Sequence, residues 1–88
     1  MDDIEYIEGL EDYIRIHFIK SKPLMTLMTL KSISEKLPAK QFKRIHRSYI
    51  VNTDKIDTIK NRKVQLRSQK ELPISDSYYS DISRWMQQ

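Results

Sequence analysis

Polar and apolar residues alternate along much of this chain. From Tyr13 to Ile19, the residues Tyr13, Arg15 and His17 interleave with Ile14, Ile16 and Phe18, the period of a strand with one buried face. The stretch before it, "IEYIEGL", has the same strand chemistry, and "SKP" at 21–23 reads as a turn into a third strand, "LMTLMT". The period then changes. Leu30, Ile33 and Leu37 fall at i, i+3 and i+7 and line one face of a helix of about two turns, with Thr29 as its N-cap and Pro38 as its stop.

Strand signals then return. "RSYIVN" and "KIDTI" are expected as strands around an "NTD" turn, and "KNRK" as a further turn. "VQLR" and "ELPI" place Val64, Leu66, Leu72 and Ile74 around a polar "SQK", the pattern of a hairpin, with Pro73 confining its last strand to a sheet edge. A closing helix starts near Ser75 or Asp76, either of which can cap it. Its shared face is expected to carry Tyr78, Ile82, Trp85 and Met86. The pattern predicts a single mostly-β domain over residues 1–88. We expect about seven short strands in small stacked antiparallel sheets, a sandwich or open barrel, with one short internal helix and a C-terminal helix. Phe18, Phe42, Trp85 and Tyr49 are expected as core anchors, whereas Tyr13, Tyr78 and Tyr79 could serve either core or surface.

Composition narrows the function. The 88 residues include no Cys, which excludes disulfides and thiolate metal sites. No apolar run is long enough to span a bilayer, and the acidic start is unlike a signal peptide, so a cytoplasmic setting without membrane contact is expected. The net charge of +4 is unevenly spread. Residues 1–14 hold six acids and no base, whereas residues 36–70 hold 11 bases against Asp54 and Asp57. Such a basic block points to a polyanion partner, with a plain solvated surface as the alternative.

"QFKRIHRSYIVN", residues 41–52, concentrates this chemistry. His46 and Ser48 stand two apart and would share a face of an extended segment. A hydrolase would also need an orienting acid and an oxyanion hole, yet the only glycine is Gly9 and no G-x-S-x-G or P-loop occurs. With only His17 and His46, a zinc site is not expected, nor any cofactor. His46 is better read as a donor to phosphate or a partner of its own turn, and Ser48 as a turn hydroxyl. The chain is not expected to be an enzyme.

Several segments, taken in order, carry a resemblance: "IEYIEGLEDYIRI", "TLKSISEKLP", "FKRIHRSYIVN" and "ELPIS". The most specific is F-x-R-x-H-x-S-Y-x-V-N followed by L-P-x-S. In these the chain resembles LytTR-type DNA-binding domains, the output modules of many bacterial two-component response regulators. The resemblance implies sequence-specific binding of double-stranded DNA for transcription regulation, by loops that enter the grooves. Carried over, the loops are Glu11–Tyr13, Arg44–Ser48 and Ser75–Tyr78. Base contacts are expected from Arg47, Tyr13, Asp76 and Ser77. Phosphate contacts are expected from Lys43, Arg44, His46, Lys55, Lys70, Ser75 and Tyr78. For Lys55, Lys60, Arg62 and Lys63 a solvated turn is an equal alternative. Asp76 stands where the family often has a basic residue, and for Asp76 a capping role is favoured over accepting from a cytosine amine. The resemblance also implies two copies on direct-repeat sites and an N-terminal receiver domain outside this chain, which is either an excised fragment or a stand-alone domain. The rival readings are a single-stranded nucleic-acid-binding small barrel and a protein-interaction module.

Overall fold

Tyr6 and Ile7 are neighbours in sequence, both buried, and they belong to different cores. Side chains alternate across a strand, so a strand can bury consecutive residues only if both of its faces are covered. Ile50 and Val51 divide in the same way. The central sheet is therefore the middle of three layers.

The computed structural model describes residues 3–87. Its central sheet contains β1 (Ile4–Leu10), β2 (Tyr13–Phe18), β3 (Leu24–Thr26), β4 (Phe42–His46) and β5 (Tyr49–Asn52), all antiparallel, in the order β3-β2-β1-β5-β4. A short helix, α1 (Leu30–Ser34), covers one face. There Leu30 packs with Ile7, Ile14, Phe42 and Ile50, and Ile33 and Leu37 close the rim. The other face meets a three-stranded sheet of β6 (Ile56–Lys60), β7 (Lys63–Leu66) and β8 (Glu71–Pro73), together with helix α2 (Asp76–Met86). Tyr6, Ile45 and Val51 pack there against Val64, Leu66, Leu72, Ile74 and Ile82. The architecture is the mostly-β stack of antiparallel sheets, short internal helix and C-terminal helix that the pattern predicts.

Local chemistry sets the boundaries. The Thr29 side chain accepts the Ser32 amide at 3.0 Å and caps α1, as expected. The helix ends four residues before Pro38, shorter than the two turns expected. Gly9 lets α1 sit close to β1, since a Cβ there would be 2.9 Å from the Leu30 Cδ1 and that side chain would have to shift. Pro73 lies on the outermost strand, β8, where a missing amide costs no ladder bond. Asn52 is fully buried at the end of β5 and serves two elements. Its Nδ2 donates to the Ile4 carbonyl at 2.7 Å, and its Oδ1 accepts the Asp54 amide at 3.0 Å, capping a single 3-10 turn, Thr53–Lys55.

Several details differ from the sequence expectation. Phe42–His46 is an eighth strand, where a loop was expected. Phe42 and Ile45 lie three apart and enter opposite cores, a spacing that hides the alternation. The third strand is only Leu24–Thr26, and Leu27 beyond it is 69% exposed. Phe18 is half-buried outside both cores. On α2, Tyr79, Ile82 and Trp85 meet the core, whereas Met86 is 50% exposed.

Two outcomes test this packing. Asn52→Ala leaves two backbone groups without their partner and should lower the unfolding free energy by about 2–3 kcal/mol in urea denaturation. The Tyr6 phenol is pushed up to about 12 by burial, then by Glu8, Glu5 and Tyr49, with Arg15 opposing. Because its folded value lies above the ordinary 10.0, its contribution is complete below pH 10 and is lost as pH rises toward 12. In a phenolate absorbance titration Tyr6 should ionise late, and Tyr6→Phe should flatten the alkaline loss of stability.

Candidate nucleic-acid interface

Antiparallel connectivity gathers alternate turns at one edge of the stack. The β1–β2 turn (Glu11, Asp12) and the β4–β5 turn (Arg47, Ser48) adjoin, since β1 and β5 pair with Glu8 opposite Tyr49. The Gly9 amide donates to the Ser48 carbonyl at 2.8 Å and fixes the two turns together. Thr29 and Lys31 of the α1 start line the same cleft as Glu11, Tyr13, Arg44 and Arg47.

A bulge joins the third element. Arg44 pairs with Ile50 but His46 pairs with Tyr49, so β4 carries one extra residue, Ile45. Its side chain is buried and its carbonyl accepts the Ser75 amide at 3.0 Å. That bond sets the N-terminus of α2 beside the middle turn. Ser75 occupies the N-cap position without a side-chain cap bond; its hydroxyl lies 3.2 Å from the Ser77 hydroxyl. Of the two candidate caps, Ser75 takes the position and Asp76 does not. It is the first helical residue, and its carboxylate meets Arg62 Nη1 at 2.8 Å. An acid there suits the positive end of the helix dipole.

The middle turn is braced from within. Arg44 Nε donates to the His46 carbonyl at 2.8 Å and its Nη2 to the Arg47 carbonyl at 2.6 Å. Its guanidinium also lies 5.7 Å from the Tyr78 ring centroid. His46 Nδ1 accepts the Ser48 amide at 3.0 Å. The ring nitrogen facing Ser48 is thus engaged by the backbone rather than the hydroxyl, and Nε2 is the ring's other polar atom. Only Arg47 and Ser48 form the turn itself, and Arg47 is exposed at its tip. Lys43 is half-buried behind Arg44, in a cleft with Tyr78, Arg84 and Trp85.

The acids of the N-terminal stretch are partly spent inside the fold. Glu5 is buried, and Glu8 binds His17 Nε2 at 3.1 Å and Arg15 Nη1 at 3.7 Å, with the imidazole stacked on Tyr6. Tyr13 is 46% exposed at the start of β2.

Two expected residues stand elsewhere. The Arg67 amide donates to the Lys55 carbonyl, and Lys70 accepts from Leu66, so Lys55 and Lys70 sit at the opposite end of β7 from Arg62. Four strand residues separate these ends by about 13 Å. The structure brings to the interface edge Arg62, which sequence left as an equal alternative, and Lys31, which sequence missed. The Asn61–Arg62 turn was legible, but its placement depends on the Ile74 amide bonding the Arg62 carbonyl at 2.9 Å.

A charge-preserving change isolates the brace. Arg44→Lys cannot span both carbonyls, so amide exchange at Ser48 should accelerate by about ten-fold, equivalent to ~1.4 kcal/mol of lost local stability. Unchanged exchange would mean that the turn holds itself.

Comparisons with known proteins show the family of the chain. The family model described as "LytTr DNA-binding domain" matches residues 1–87. The chain is 33% identical over 82 residues to the sensory transduction protein LytT of Enterococcus faecalis, covering 88% of this chain and 34% of that protein. It is 48% identical over 46 residues to the LytT of Oceanobacillus iheyensis, covering 52% of this chain and 19% of that protein. The chain thus spans at most about a third of the length of these curated relatives. A solved LytTr DNA-binding domain from Bacillus cereus superposes with a TM-score of 0.86 at 22% identity, covering 97% of this chain and 82% of that one. The chain belongs to the LytTR family of DNA-binding domains.

Proposed function

We propose that this domain binds double-stranded DNA sequence-specifically, as the regulatory output of a response regulator, through the edge carrying the β1–β2 turn, the β4–β5 turn and the start of α2. One observation carries the reading. Three turns far apart in sequence are locked side by side by the Gly9–Ser48 and Ser75–Ile45 backbone bonds, with Arg47 exposed at the centre. A braced turn presents its tip with little ordering cost on binding.

Arg47 is the principal base reader, since its fork of donors matches the O6/N7 edge of guanine. Tyr13 and Ser77 flank it as further base contacts. Lys43, His46, Ser75 and Tyr78 serve phosphates, and Arg44 adds charge while shaping the turn. Lys55 and Lys70 have no part, given their place at the far edge. Asp76 is paired with Arg62 and is not assigned to cytosine. Duplex is favoured over single strands because Tyr13 is the one exposed aromatic among the described residues, too few for a stacking platform. Two copies on direct repeats, and a receiver domain elsewhere in the full protein, complete the proposal.

Selection from a random duplex library tests it, and a direct-repeat motif is the expected result. Arg47→Ala should then cost about 1–3 kcal/mol on the selected site and far less on random DNA, measured by fluorescence anisotropy. Equal losses on both would make Arg47 a phosphate contact.

A further inference from the structure

The β6–β7 connection is a two-residue turn, with Lys60 paired to Lys63 and Asn61 and Arg62 at φ 54° and 59°. Such a turn needs positive φ at both central positions and favours Asn followed by Gly. Asn61 fits. Arg62 occupies the place where glycine would be least strained. Its guanidinium is nevertheless well held, 2.8 Å from the Asp76 carboxylate and 4.2 Å from the Tyr79 ring centroid. The ion pair itself adds little stability, since it is solvent-exposed on both sides. Lys60 and Lys63 flank the turn and are exposed. The Ile74 amide bonds the Arg62 carbonyl, one residue before Ser75, so the turn abuts the start of α2.

We infer that the β6–β7 turn is a fourth DNA-contacting element, in which Arg62 is the phosphate ligand and Asp76 and Tyr79 hold it aimed at the edge. The inference rests on the duplex-binding reading and extends its footprint beyond α2. Asp76 then acts as a stand-in anion for Arg62 until a phosphate replaces it.

The test measures binding of the full chain to a duplex chosen by selection, by anisotropy, from 50 to 200 mM salt, about a four-fold range. Arg62→Gly suits the positive φ and leaves the hairpin folded. It should weaken binding at low salt and reduce the slope of log K against log salt by about 0.9, the share of one phosphate. Over that range the variant's affinity should fall about 3.5-fold less than the wild type's. Lys70→Gln, at the far edge, should leave the slope unchanged. The Arg62→Gly loss should persist in an Asp76→Asn background, because the contact is with DNA. A loss that vanishes there would make Arg62 a mere shield for Asp76 and overturn the inference. An unchanged slope, or an equal loss in Lys70→Gln, would overturn it too. Wild type failing to bind any duplex would overturn the underlying reading instead.

Discussion

The place of α2 at the interface edge depends on one backbone hydrogen bond, from the Ser75 amide to the Ile45 carbonyl. It exists because β4 carries an extra residue. The bulge turns Ile45 into the core between the sheets and leaves its carbonyl available to a partner outside the ladder. Without it, the start of α2 and the β4–β5 turn would be joined only by side chains. With it, the second layer is registered against the first, and the Arg62 turn follows through Ile74.

The same constraint separates two kinds of cation. Arg44 sits beside the bulge and spends its donors on the carbonyls of His46 and Arg47. Arg47, at the tip, makes no such bond among the described residues and remains exposed. A rigid loop presenting one free guanidinium suits base recognition, because the geometry is set before the partner arrives. His46 contributes to the same rigidity by accepting the Ser48 amide.

Much of the fold was legible in the sequence. The alternation around Ile14, the i, i+3, i+7 set of Leu30, Ile33 and Leu37, the Thr29 cap and the edge placement of Pro73 are local signals with local causes. The eighth strand was not legible, since the bulge and the odd spacing of Phe42 and Ile45 mask its period. For the candidate site, Arg47 and the three loops are proposals that sequence and resemblance already offered, and the structure adds only that these loops lie side by side. The arrangement of the cations was not legible. Lys55, Lys70 and Arg62 look alike in sequence, and only the pairing of β6, β7 and β8 sends them to opposite ends. Asp76 read as a cap because Asp favours that position, yet Ser75 takes it once the chain leaves β8 and bonds Ile45.

In the proposed complex a single edge of the stacked sheets meets duplex DNA. Amide chemical-shift mapping during titration with a selected duplex tests it most directly. Perturbations should concentrate at residues 11–13, 44–48, 61–62 and 75–78. Perturbations centred instead on residues 53–55 and 67–70, at the opposite edge, would contradict it.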